Sequence, residues 1–276
     1  MAMLMAFDYL LSSGILKLSG NAGYIVALVE VVVFLLPVFL LVGISKKAEQ
    51  PVNLRLGGFT RKAIPFVIFM SLLASVASFL LNCIEVAIFN LPSYQTGGYA
   101  SSMMSSSGLV LFIAIALMPA ICEEFMFRGG ILGAFEKKGT VAAILVSAVS
   151  FALVHGNIRN FLGLLLAGAI YAYLVYTLKS IWPAVIAHLL NNVYYIVISY
   201  ISEAYEAVGI WMYFVVINVL ALCVFLFLAM RSLEKLINQD KIERFNKTSM
   251  ASYGSVLVTP GIWLLVILFV IKGLYF

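Results

Sequence analysis

The sequence predicts an all-α, polytopic integral membrane protein of about eight transmembrane helices. Three observations carry this. Of 276 residues, 64% are hydrophobic and only 11% charged, with a mean hydropathy of +1.10, and a water-soluble domain of that composition would lack polar cover for its surface. The apolar residues form long continuous runs, which excludes a membrane β-barrel of short alternating segments. The Lys and Arg residues gather in alternate loops, as they do where the basic loops face the cytoplasm.

Taken in order, spans are expected at 22–44, 64–90, 107–135, 140–156, 160–178, 182–202, 208–230 and 256–274, each near or above the roughly 17–25 residues that cross a bilayer. Ahead of them, Met1 to Gly20 has no cationic n-region and contains Asp8. It reads as an interfacial helix or a short extra span rather than a signal peptide. The fourth and fifth spans are the shortest, joined by the turn Gly156-Asn157-Ile158-Arg159-Asn160. On the fifth, Gly163, Ala167, Gly168 and Ala172 make overlapping small-xxx-small pairs, which allow another helix to approach closely.

Thirteen of the seventeen basic residues fall on one face. They are Lys46, Lys47, Arg55, Arg61 and Lys62, then Lys137 and Lys138, then Lys179, then Arg231, Lys235, Lys241, Arg244 and Lys247. That face is expected to be cytoplasmic, with both termini outside. The net charge of +5 is thus a topology signal and does not point to nucleic acid. Within 231–247, Leu233, Leu236, Ile237 and Phe245 alternate with charges. The segment reads as an extension of the seventh span lying on the membrane surface, or equally as a solvated linker helix. Cys83, Cys122 and Cys223 are odd in number, lie in apolar runs and form no CxxC pair, so no disulfide framework is expected. Cys122, though beside Glu123, reads as a buried structural thiol.

The third span carries Glu123, Glu124 and Arg128 within six residues. At a helix centre each ionisable side chain costs roughly 2.5–3.5 kcal/mol on insertion scales, so such groups mark function. Glu124 and Arg128, at i,i+4, share a face and can pair. Glu123 lies about 100° around the helix and is free to point elsewhere. The fourth span places Phe151 and His155 at i,i+4, and the sixth places His188 and Asn192 at i,i+4 with Asn191 alongside. These are the two histidines of the chain. Counted from the basic ends of their spans, Glu123 lies about 18 Å in, His155 about 22 Å, Asn192 about 15 Å and His188 about 9 Å. These depths allow the groups to converge in one cavity.

Glu-Glu-x-x-x-Arg at 123–128, Phe-x-x-x-His at 151–155 and His-x-x-x-Asn at 188–192, in that order, resemble the motifs of the CAAX-processing and bacteriocin-processing (CPBP) intramembrane proteases. This family, also called the abortive-infection family, includes the lysostaphin-resistance-type proteins. The resemblance covers roughly 107–202 and divides the chain into three parts. These are a two-helix N-terminal segment (1–106), a four-helix catalytic core (107–202), and a C-terminal pair of helices with a basic cytoplasmic segment (203–276). It implies a glutamate-dependent endopeptidase acting on a peptide bond in a membrane-associated protein. In that scheme Glu123 is the general base on a water, and His155 helps to bind that water. His188 and Asn192 donate hydrogen bonds to the oxyanion, while Glu124 and Arg128 support the helix of Glu123. No metal or other cofactor is expected. The implied partners are membrane lipid and a hydrophobic or membrane-inserted peptide, in a bacterial or archaeal plasma membrane. Pro119, one turn before Glu123, frees a carbonyl and can kink the span to admit water. Gly129 and Gly130 permit close backbone approach just below.

Three other readings compete. A zinc-dependent version of the protease draws on two histidines and a glutamate as ligands, although the chain has no HExxH and the histidines stand on different spans. A non-catalytic scaffold or immunity regulator would not need Glu123. A proton-coupled transporter would use Glu, His and Arg as a relay, but no inverted repeat or paired broken helices support it.

Overall fold

Eight apolar helices build the computed structural model, which describes residues 22–47, 51–89, 107–205, 211–239 and 259–275. They are α1 (Gly23–Lys47), α2 (Arg61–Ile88), α3 (Gly108–Lys138), α4 (Thr140–His155), α5 (Ile158–Leu178), α6 (Trp182–Tyr205), α7 (Trp211–Ile237) and α8 (Pro260–Tyr275). No strand occurs among the described residues. Six helices are long and apolar enough to cross a membrane; α4 and α8 are shorter apolar helices. This is a multi-pass integral membrane protein. The expected spans thus all appear as helices, two of them short of the length that crosses. Met1 to Gly20, the uncharged loop 91–106 and the basic residues Lys241, Arg244 and Lys247 lie outside the described residues. Helix α7 continues without a break to Ile237, so the first part of the basic segment does extend the seventh span.

Local chemistry sets the boundaries. Ser107 caps α3, its hydroxyl accepting from the Val110 N–H, a donor that helix geometry leaves unpaired. Pro stands at the start of α2, where its missing N–H breaks no helical bond. Between α3 and α4 the chain turns at Gly139 (φ 108°), and α4 ends at Gly156 in the left-handed conformation (φ 60°), which glycine adopts without a steric penalty.

Helix α2 is the hub, packed against α5, α6 and α7. Three of its polar groups reach the loop and first turn of α5. Ser78 Oγ donates to the Gly163 carbonyl (2.8 Å), Asn82 Nδ2 to the Arg159 carbonyl (2.5 Å), and Glu85 Oε1 accepts from the Leu162 N–H (2.9 Å). Close approach at this contact depends on Gly163, where an added Cβ would stand 2.8 Å from the Ser78 carbonyl oxygen. Gly168, one further turn along, faces α4 instead, with an added Cβ 3.1 Å from the Ala148 Cα. The small-residue stripe of the fifth span therefore serves two neighbours. A polar link joins α6 to α7, where Tyr194 Oη donates to Asn218 Oδ1.

The segment 51–60 straps the end of the bundle where the basic loops meet. The Arg55 carbonyl accepts from the Ile181 N–H (2.9 Å), Gly57 from Ser180 Oγ (2.6 Å) and Leu56 from Trp182 Nε1 (3.1 Å). The Arg55 guanidinium pairs with Glu136. Leu54 rests on Gly129 and Val52 on Gly133, so the expected close approach near Gly129 is made by this strap. Lys46, Arg61, Lys137 and Lys179 thereby belong to one end of the molecule, as the topology reading requires. Outward faces are apolar: Met212, Val216, Leu220 and Phe227 of α7 are all exposed, a surface suited to lipid.

Candidate active site

Helix α3 is not a uniform α-helix. Wider π-helical turns occupy Phe112–Leu117 and Phe125–Ile131, on either side of the regular stretch Met118–Glu124 that holds the two glutamates. A third lies in α1 at Val31–Leu35. Such turns shift the register of side chains and are frequent at functional sites. Pro119 has no N–H to continue the upstream ladder, and the turn before it is the π-helical one.

Glu124 and Arg128 are fully buried. Arg128 Nη1 donates to Glu124 Oε1 at 2.7 Å and Nη2 to the Gly168 carbonyl at 2.9 Å. Its guanidinium lies over the rings of Phe151 (4.5 Å to the centroid) and Tyr171 (5.2 Å), a cation–π arrangement. The same Glu124 oxygen bonds His188 Nδ1 at 2.9 Å. His188 stacks on Tyr171 and meets Phe151 edge-on. The ion pair therefore does more than fix α3: it binds α3 to α5 and aims the histidine of α6.

Glu123 points the other way. Its Oε2 lies 3.7 Å from His155 Nε2, too long for a direct hydrogen bond and short enough for one water to touch both. That oxygen is buried and has no hydrogen-bond partner among the described residues. The other ring nitrogen of His155, Nδ1, is 2.8 Å from the Phe151 carbonyl, which can only accept, so Nδ1 carries the proton. In the neutral ring, Nε2 then presents its lone pair toward Glu123. Phe151 also lies 4.6 Å, centroid to centroid, from the His155 ring. It touches Arg128, His155 and His188 at once.

Of the groups expected to converge on Glu123, His155 faces it. His188 goes to Glu124. Asn192 Nδ2 donates to the Ala116 carbonyl (3.3 Å) in the π-helical turn of α3. Asn191 is buried beside it, its Oδ1 without a partner among the described residues. Cys122 is buried and the three cysteines are unbridged, as expected. Among the described residues, no group of three or more His, Cys, Asp or Glu is arranged to hold a metal ion.

Two side chains of this region were not anticipated. Tyr171 forms a wall of the aromatic box, and nothing in its spacing announced that. Glu30 of α1 is buried, on a helix that packs against α3. A signal for it existed: it is a lone acid in a Val/Leu-rich span, the same kind of anomaly as the glutamates of α3.

Comparison with known proteins bears on this same stretch. Residues 105–194 match the family described as type II CAAX prenyl endopeptidase Rce1-like. This stretch is similar to that family. The match contains Glu123, Glu124, Arg128, His155, His188 and Asn192. The chain is also 26% identical over 139 residues to a Bacillus subtilis (strain 168) protein named "Putative membrane peptidase YdiL". The aligned region covers 47% of this chain and 57% of that relative. No solved structure matches the chain.

Proposed function

We propose that the protein is an intramembrane endopeptidase whose general base is Glu123. The observation that carries this reading is the facing pair of Glu123 Oε2 and His155 Nε2 at 3.7 Å, with His155 held by its other nitrogen. The likeness of the core to an endopeptidase family supports it. A water held between the two groups donates one proton toward Glu123 while His155 orients it. Its oxygen attacks the carbonyl carbon of the peptide bond. The tetrahedral oxyanion is met by His188 and Asn192, a kind of contact worth about 2.7–4 kcal/mol per donor. Collapse breaks the C–N bond, and Glu123 returns its proton to the leaving amine.

The geometry gives His188 a specific requirement. Its Nδ1–H is engaged by the Glu124 carboxylate, so Nε2 donates to an oxyanion only when both ring nitrogens are protonated. Glu124 balances that charge, and Arg128 in turn balances Glu124. Asn192 spends one amide hydrogen on the Ala116 carbonyl and keeps the second for the substrate. No step requires a metal. In this reading the substrate is a hydrophobic or membrane-inserted peptide. A prenylated peptide of the CAAX type, the class named in the family's description, is the first probe to use.

Glu123→Gln tests the assignment in purified, lipid-reconstituted protein with a quenched fluorescent prenyl-CAAX peptide, alongside a comparison of membrane peptides from cells carrying either form. Cleavage is expected to disappear while thermal stability is kept. Wild-type cleavage by the variant would turn the reading toward a scaffold. Treatment with a chelator is expected to leave the rate unchanged and the purified protein free of bound metal. A loss restored by added zinc would instead establish the zinc-dependent version.

A further inference from the structure

Tyr171 of α5 is wholly buried and stands three residues after Gly168, whose carbonyl accepts from Arg128. Residues three apart share a helix face, so this face of α5 is turned to the site. The Tyr171 ring stacks on the His188 imidazole, with centroids 5.4 Å apart and an interplanar angle of 22°, within the range of offset-stacked aromatic pairs. Phe151 is set edge-to-face against both rings, 6.2 Å from Tyr171 and 5.5 Å from His188. The Arg128 guanidinium lies 5.2 Å from the Tyr171 centroid. The Tyr171 hydroxyl has no hydrogen-bond partner among the described residues, so its contacts with the site are made by the ring. The bond between His188 Nδ1 and Glu124 Oε1 holds one atom of the imidazole. The plane of that ring, and with it the line of the Nε2–H bond, is set by what packs on its faces.

Resting on the endopeptidase reading with His188 as an oxyanion donor, we propose that Tyr171 is a positioning residue for the reaction. Its stacked ring holds the His188 imidazole in the plane that aims Nε2–H at the oxyanion, and it acts through His188 without touching the substrate. A second contribution is electrostatic. Donation from Nε2 needs both ring nitrogens protonated, and the charged imidazole then lies against the electron-rich face of Tyr171. Glu124 supplies the counter-charge along the Nδ1–H bond, and Tyr171 supplies the direction. No proton or electron passes to or from Tyr171 in this role.

The test uses the full chain in lipid, a prenyl-CAAX peptide as substrate and, as a transition-state mimic, the same peptide with a phosphinate in place of the scissile amide. A contact made only with the oxyanion shows in kcat and in the phosphinate Ki and not in KM. Tyr171→Leu is expected to lower kcat by about tenfold and to weaken the phosphinate by a similar factor, with KM unchanged. Tyr171→Phe, which restores the ring, is expected to recover most of both losses. In a His188→Ala background Tyr171→Leu is expected to leave the phosphinate Ki unchanged, because the residue it acts through is gone. Poor folding lowers kcat through fewer active molecules but does not move Ki, so a Tyr171→Leu protein with a wild-type Ki overturns the proposal. A Tyr171→Phe as impaired as Tyr171→Leu also overturns it, as does a further loss of Ki in the His188→Ala background. If Tyr171→Leu does not fold, Tyr171→Met, an unbranched chain without a π face, is held to the same expectations. If neither folds, Tyr171 is structural and the positioning role falls. A wild type that cleaves the peptide but binds the phosphinate no tighter than the substrate has no such oxyanion contact, and the proposal falls with the endopeptidase reading intact. A wild type that neither cleaves the peptide nor binds the phosphinate overturns both.

Discussion

Replacing Arg128 with Met keeps most of the aliphatic stem and removes the guanidinium. Glu124, fully buried, then keeps only His188 as a partner. The Gly168 carbonyl loses its side-chain donor, and Phe151 loses the cation above its ring. Breaking a buried pair by removing one partner costs about 3–5 kcal/mol, chiefly because a buried charge is left uncompensated. The same reasoning gives a similar cost for Glu124→Gln, where Arg128 is the orphan. It also makes a sharper statement about the pair of changes. With Glu124→Gln and Arg128→Met together neither charge of the pair is left without its partner, and the amide oxygen of Gln can still accept from His188. The double variant is expected to lose only about 1–2 kcal/mol, less than either single change, because replacing a whole buried pair is far milder than breaking it. Equilibrium unfolding of all four proteins in mixed micelles measures the cycle. A double variant that costs the sum of the singles, within about 0.5 kcal/mol, would refute the reasoning, as would an Arg128→Met that costs less than about 1 kcal/mol.

Further expectations follow from the α2–α5 contact. Gly163→Ala places a Cβ 2.8 Å from the Ser78 carbonyl oxygen and 3.3 Å from its Cα, backbone atoms that cannot rotate away. It should cost about 1–3 kcal/mol by overpacking, whereas Gly43→Ala, with nothing within 4 Å, should be neutral in the same thermal assay. Glu85→Ala removes the acceptor for the Leu162 N–H and should cost about 1–3 kcal/mol. Glu85→Gln, which keeps a carbonyl oxygen there, should cost less than half as much, and equal losses would show that the contact is not a hydrogen bond to the side-chain oxygen.

Much of the site was legible because it is local to one helix. The i,i+4 spacing of Glu124 and Arg128 paired them, and the angular offset of Glu123 sent it to another neighbour. The basic loops gave the end at which Arg55, Glu136 and Ile181 meet. What the sequence withheld is lateral. Spacing along α6 put His188 and Asn192 on one face but did not say that His188 would face Glu124 while Asn192 reached an α3 carbonyl. That outcome depends on helix rotation and on π-helical turns, which shift register by a fraction of a turn and leave no residue pattern at Phe112–Leu117 or Phe125–Ile131. Glu30 escaped for a related reason: α1 has no second polar residue at helical spacing to mark a face, so its direction was set only by packing against α3.

Helix α2 lies outside residues 105–194, the stretch that matches a known family. Yet Ser78, Asn82 and Glu85 of α2 hold the link from α4 to α5, the connection that begins immediately after His155. Glu30, on α1, is outside that stretch as well. An excised core would therefore carry every recognisable motif and still lack the brace on the connection that follows His155. The unit that folds in this chain is larger than the unit that similarity detects.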